Sequence, residues 1–293
     1  MDLPSLIRLL SLAAIWGASF LFMRITAPIL GTVLLTEARL FIAALFLLIV
    51  AFWLNKQLNV RENWRHYLTL GSINSALPFL LFGYAAYTLS ASLLSIINAT
   101  APIWGTLISA VLTRTMLTKK IMLGLILGVS GVALLVGFDP VTVQPGAGLA
   151  VLAALAATFL YGVGSVYAKT AKNVGTFSNA HGSMWAAAII IMPIVPFFPA
   201  VAEPGSGVLF AIITLGVLCS GVGYLLYFRL INDLGAPSAL TVTFLIPVFG
   251  ILWGRLFLGE PIGWHTVAGS AIVILGTALV TNFSYSRLLA PGK

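Results

Sequence analysis

Apolar residues in this chain fall into long, charge-poor blocks separated by short polar clusters. A helix needs about 20 apolar residues to cross a hydrocarbon core about 30 Å thick, so block length divides the sequence into spans. Single spans are predicted over residues 5–24, 32–54, 121–138, 147–168, 178–200, 207–229, 236–258 and 264–284. Between Arg65 and Arg114 lie 48 residues whose sole ionisable group besides tyrosine is His66. That stretch predicts a helical hairpin turning near Ser90 and Ser92. The sum is an all-α integral membrane protein of ten transmembrane helices. The first span follows Arg8 as the apolar part of a signal peptide would. No small-x-small cleavage site with a polar exit follows it, so it is read as a retained helix.

Composition sharpens this reading. Of 293 residues, 60% are hydrophobic and 8% charged, with one cysteine. Soluble domains carry about a quarter charged residues, so a water-soluble enzyme, a disulfide scaffold and a disordered tail are excluded. The net charge of +8 is spread through apolar sequence and cannot form a nucleic-acid face. It works as a topology signal instead. The terminal segments and even-to-odd loops carry Arg8, Lys56, Arg61, Arg65, Arg114, Lys119, Lys120, Lys169, Lys172, Arg229, Arg287 and Lys293, against Arg24, Arg39 and Arg255 on the other half. Cytoplasmic loops retain Lys and Arg, so both termini are expected in the cytoplasm.

Sliding the chain on itself by 145 residues aligns Gly17 with Gly162, Thr69-Leu70-Gly71 with Thr214-Leu215-Gly216, Ser75 with Ser220, and Pro102 with Pro247. Gly105, Gly124 and Gly131 pair with Gly250, Gly269 and Gly276 at the same offset. Glycine and proline recurring together in register at mid-span indicate a duplication. Two repeats are expected, over residues 1–145 and 146–293. Each holds five helices, an odd number, so they insert in opposite directions as inverted-topology repeats. Lys56, Arg61 and Arg65 pair with Val201, Ser206 and Phe210, so the orientation signal is missing from the second repeat. In secondary transporters such repeats flank a substrate site near the midplane and rock to alternate access.

Trp16-Gly17-Ala18-Ser19-Phe20, Ala38-Arg39-Leu40-Phe41 in helix 2, and Pro247 followed by Leu258-Gly259-Glu260-Pro261 add a family likeness. Over nearly its whole length the chain resembles EamA-type members of the drug/metabolite transporter (DMT) superfamily, and within them the YddG-like aromatic amino acid exporters. The resemblance implies a central cavity lined by helices 1, 3, 4, 6, 8 and 9, in a multi-pass protein of the bacterial cytoplasmic membrane. The expected partners are the lipid bilayer and a small-molecule substrate, with a monomer sufficient and no cofactor.

Candidate site residues follow from helix chemistry. Pro102 and Pro247 lack an N–H, freeing the carbonyls of Asn98 and Thr243. Such carbonyls must face protein or a wet cavity. They are packing kinks or, with Ser95 nearby, acceptors for a substrate ammonium. Asn74, Ser75, Pro78 and Phe82 share a broad face of helix 3, matched on helix 8 by Cys219, Ser220, Gly223 and Tyr227. Small residues at that spacing serve close packing or a ligand. Trp16 and Phe20, one turn apart on helix 1, and their mates Tyr161 and Ser165 on helix 6 form core or stack on an aromatic substrate. Tyr224, Trp104 and Trp185 are further aromatic candidates with less weight, since most transmembrane aromatics do packing or interfacial work.

Absences narrow the substrate. No Asp or Glu is expected near the middle of a helix, Glu37 lying about a turn inside helix 2. This argues against a cation exporter built on a membrane carboxylate and against strong proton coupling. No central Lys or Arg pair suits a phosphorylated sugar. Arg39, two to three turns inside helix 2, is either a gate or ion-pair residue or a snorkelling cation. His181 is either a hydrogen-bonded packing residue or a proton site. No metal cluster, phosphate loop or catalytic carboxylate pair appears, so no enzyme is read here. The expectation is an exporter of small neutral or zwitterionic metabolites, aromatic or apolar amino acids first, by alternating access and facilitated diffusion. Other metabolites or drugs on the same scaffold are the alternative, and an intramembrane enzyme or lipid scramblase the remote one.

Overall fold

The structure is a computed structural model and describes residues 3–139, 144–172, 174–234, 239 and 241–281. The expected span start at 236 and end at 284, and the basic residues Arg287 and Lys293, lie outside the described residues.

Leu3–Trp53 is helical throughout except at Gly31, whose φ of 76° and ψ of 158° suit glycine alone. It therefore forms two helices, α1 (residues 3–30) and α2 (32–53). The break is capped from elsewhere: the backbone N–H groups of Val201 and Ala202 donate to the carbonyl of Ile29 at 2.9 and 3.1 Å. There follow α3 (Val60–Ala85), α4 (Ala91–Thr113), α5 (Lys119–Phe138), α6 (Ala147–Thr170) and α7 (Thr176–Phe197). Next come α8 (residues 206–234), α9 (Val242–Leu258) and α10 (Trp264–Val280). Leu3–Trp53 and α3 to α8 are each long and apolar enough to cross a membrane, whereas α9 and α10 have 17 residues each. The series is compatible with the ten expected spans. Leu45, Ile49, Val129, Leu152, Phe210 and Leu256 are exposed on helix flanks, the surface a bilayer would cover. The α3–α4 turn occupies residues 86–90, with the Ser90 hydroxyl accepting from Leu93 N at 3.1 Å, so Ser92 lies within the helix rather than in the turn.

Contacts between helices recur at the repeat offset. Gly17 of α1 abuts Phe249 and Gly250 of α9, and Gly162 of α6 abuts Trp104 and Gly105 of α4. Gly71 of α3 meets Ala187 of α7, while Gly216 of α8 meets Ile42 of α2. Gly124 meets Gly276 and Val280, and Gly269 meets Gly131 and Leu135, so α5 and α10 cross reciprocally. Each pair exchanges residue i with its mate 145 positions on, which is what a two-fold axis between repeats demands. Without a hydrophobic drive inside lipid, helices associate through such close backbone approaches.

Two helices depart from regular geometry at mated positions. In α3, Ser72–Ala76 is π-helical just before Pro78, whose missing N–H displaces the ladder. In α8 the mated stretch Leu215–Val222 is also π-helical, without a proline. Pro102 does more than kink α4. The helix stops at Asn98 and restarts at Ala101, with a turn at Ala99 and Thr100. The hydroxyl of Thr277 on α10 donates to the carbonyl of Ala99 at 3.0 Å, satisfying one group the break exposes. By contrast, α9 continues through Pro247. Thr277→Val removes this interhelical bond and leaves the Ala99 carbonyl bare. A stability loss of about 1 kcal/mol is expected in SDS unfolding, with unchanged helicity by circular dichroism.

Candidate functional site

Where α1, α3, α6 and α8 meet, aromatic side chains gather. The π-helical stretch of α8 loosens its own ladder and offers a carbonyl sideways. The indole N–H of Trp16 donates to the carbonyl of Cys219 at 3.1 Å, and the Cys219 thiol donates to that of Ile15 at 3.2 Å. Trp16 is thereby set 5.3 Å from the Tyr227 ring and 6.2 Å from Tyr224. One turn on, Phe20 packs edge-on to Phe82 at 5.5 Å, and Phe82 stacks on Tyr161 at 6.1 Å. The Tyr224 hydroxyl lies beside Asn74 and Ser75 of α3. The structure thus brings together Trp16, Phe20, Asn74, Phe82, Tyr161 and Tyr224, with Pro78 buried at the end of the π-helical turn.

Arg39 borders the same region. Its Nε donates to the Ser220 hydroxyl at 2.8 Å, its Nη1 reaches the Met23 sulfur at 3.5 Å, and the guanidinium covers the Phe79 ring at 3.7 Å. The residue is 7% exposed. Glu37, about a turn and a half past Gly31, is buried, and its Oε2 has no hydrogen-bond partner among the described residues. The bundle therefore holds one carboxyl enclosed by protein among the described residues. His181 is buried too, its Nε2 accepting from the Trp185 indole at 3.0 Å while Nδ1 has no partner among the described residues.

Other candidates lie apart from the aromatic cluster. Ser95 is fully buried against Gly250, and its hydroxyl donates to the carbonyl of Ser92 at 2.7 Å. Ser165 is exposed, bonds the Gly162 carbonyl at 2.7 Å and faces Gly105. Asn98 and Pro102 flank the break in α4, which Thr100, Trp104 and Thr158 tie to α6. The Trp104 indole and the Thr100 hydroxyl both donate to the Thr158 hydroxyl, at 3.0 and 3.3 Å. Thr243 is part-buried and Pro247 buried in α9.

At one end of the bundle, Glu260 caps α4. Its Oε1 accepts from Ala91 N at 2.7 Å, and its Oε2 accepts from Ser92 N at 3.0 Å and the Ser92 hydroxyl at 2.5 Å. A carboxylate here satisfies orphan N–H groups and faces the positive end of the helix. The sequence carried Glu260 only as part of a motif, because its partners lie 168 and 169 positions away. Beside this cap, Gly250 and Gly254 of α9 are buried against α4. Their mates Gly105 and Ser109 on α4 are both part-exposed, as is every residue from Trp104 to Ala110. The two-fold relation is broken here, closed at one end and loose at the other.

Comparison with known proteins agrees with this architecture. The EamA-like transporter family matches twice, over residues 3–137 and 148–282, a displacement of 145 positions. The uncharacterized transporter YoaV of Bacillus subtilis is 22% identical over 286 residues, covering 96% of this chain and 98% of its own. An uncharacterized transporter of Archaeoglobus fulgidus is 25% identical over 276 residues, covering 91% and 95%. A crystal structure with 17% identity superposes at a TM-score of 0.70, covering 99% of this chain and all of that one, and so shares the fold.

Proposed function

The chain belongs to the EamA-like transporter family, and from that premise we propose that it exports small neutral or zwitterionic metabolites, aromatic and other apolar amino acids first, across a bacterial cytoplasmic membrane. The observation that carries this reading is the aromatic cluster of Trp16, Phe20, Phe82, Tyr161 and Tyr224 where helices of both repeats meet. Rings in that position stack on an aromatic substrate, each good pair contributing about 0.5 to 1.5 kcal/mol. The broken two-fold relation supports alternating access: in the orientation with both termini cytoplasmic, the end closed by Glu260 is the outer one and the loose end of α4 faces inward. Exchange of the two arrangements would open the other face. The repeat boundary near residue 145 belongs to the same reading.

Proteoliposomes loaded with labelled tryptophan or phenylalanine are expected to show counterflow without chemical change to the substrate. Trp16→Ala, inserted normally, is expected to slow it about 10-fold as stacking is lost. Absence of counterflow for every amino acid tested would remove the substrate assignment. Normal flux in Trp16→Ala would remove the cluster from the transport path. Flux indifferent to an imposed pH gradient fits facilitated diffusion, whereas acceleration by it assigns coupling, for which Glu37 is the buried acid among the described residues.

A further inference from the structure

Arg39 sits eight residues past Gly31, about 12 Å along α2 and close to the middle of a hydrocarbon layer about 30 Å thick. Its side chain does not reach for the surface. Met23, which it touches, lies eight residues before Gly31 on α1, at the same depth. Ser220 and Phe79 are likewise buried.

A guanidinium has five N–H donors. Among the described residues, protein acceptors take two of them, one being a thioether sulfur, a weak acceptor. No Asp or Glu forms an ion pair with it among the described residues. Among the described residues, the ionisable side chains that act on its charge are Tyr161, Cys219 and Tyr224, none a carboxylate. Glu37, two positions away on the same helix, belongs to another face. A buried cation without a counter-charge is costly, and membrane proteins keep such groups for a pathway or a ligand.

The architecture itself does not require this cation. Its repeat mate, Met184, is fully buried in the corresponding place on α7. The two-fold relation therefore accepts an apolar side chain where the first repeat spends a charge. Tyr161 and Tyr224 belong to the aromatic cluster, so Arg39 lies beside the place where helices of both repeats meet.

We propose that Arg39 is the receptor for a carboxylate on the transported molecule, so that the substrate class is apolar and aromatic carboxylates, amino acids included. This rests on reading the chain as a carrier with its substrate between the repeats. The planar fork of Arg39 takes two carboxylate oxygens at once, a geometry that an ammonium or an amide does not match. The ring of the substrate then packs among Trp16, Phe82 and Tyr161.

The test is equilibrium binding to purified protein by calorimetry and thermal shift, with phenylalanine, phenylalaninamide, hydrocinnamate and hydrocinnamamide. Each carboxylate is expected to bind about 10- to 100-fold more tightly than its amide, the range for a charge-assisted hydrogen bond. Arg39→Met is expected to erase that preference, and Arg39→Lys to keep part of it. Amides binding as well as carboxylates, a preference surviving in Arg39→Met, or no binding by any of the four compounds overturns the proposal. Should Arg39→Met fail to fold, the wild-type comparison and Arg39→Lys decide. Hydrocinnamate binding without phenylalanine binding would leave the receptor standing and remove the amino acid preference. Binding without flux would remove the carrier reading alone.

Discussion

Gly17→Val and Gly162→Val are each expected to lose about 3 kcal/mol or more of stability and to yield little monodisperse protein. A Cβ at Gly17 would stand 2.8 Å from the Cβ of Phe249 and 2.9 Å from the backbone nitrogen of Gly250. At Gly162 it would stand 2.7 Å from the Cβ of Trp104 and 2.8 Å from the nitrogen of Gly105. Backbone cannot rotate away as a side chain tip can, so the helices must separate. Since the contacts are mates under the two-fold relation, the two losses should be similar. Gly137→Ala and Gly148→Ala, where nothing lies within 4 Å of the added Cβ, should stay within about 0.5 kcal/mol of wild type. SDS unfolding and fluorescence-detected size exclusion read both sets. Valine tolerated at Gly17 and Gly162 alike would mean that the α1–α9 and α6–α4 crossings are not the close contacts described here.

The duplication behind those crossings was legible, because glycine is costly inside a helix and Gly17, Gly71, Gly124 and Gly131 recur at one offset as Gly162, Gly216, Gly269 and Gly276. Which helices these glycines join was not, since each partner lies on a helix distant in sequence. The aromatic cluster was legible in part: Trp16 and Phe20 share a helix face and Tyr161, the mate of Trp16, joins them through Phe82, whereas Ser165, the mate of Phe20, lies apart. What stayed hidden depends on partners distant in sequence. Arg39 meets Ser220 at a separation of 181 residues, so the partners of its guanidinium could not be read from α2. Pro102 announced a disturbance in α4, but whether it kinked or broke the helix rested on Thr277 being there to take the Ala99 carbonyl. The π-helical stretch of α8 had no local signal, because it lacks the proline that explains its mate in α3. That Glu37 is covered by neighbouring helices was not legible, since depth along a helix says nothing about which neighbour packs on it.

Glu260 is the residue whose removal should most alter how the bundle opens. It crosses from the segment after α9 to the start of α4, joining the two helices that face each other across the closed end. Three donors converge on its carboxylate, and charge-assisted bonds of this kind contribute about 1.5 to 3 kcal/mol. In Glu260→Ala the N–H groups of Ala91 and Ser92 lose their acceptor, and the packing of α4 on Gly250 and Gly254 must hold the end shut without them. Hydrogen–deuterium exchange in residues 91–98 and 250–258 is expected to quicken about 10- to 100-fold, with α5 unchanged. Glu260→Gln, which keeps one acceptor oxygen, should fall between. Unaltered exchange would show that the cap holds nothing closed. A uniform rise across the chain would show that Glu260 supports overall stability rather than this contact. A rise confined to the two segments leaves one account: the carboxylate biases a two-state element, and its loss moves the population toward the open arrangement.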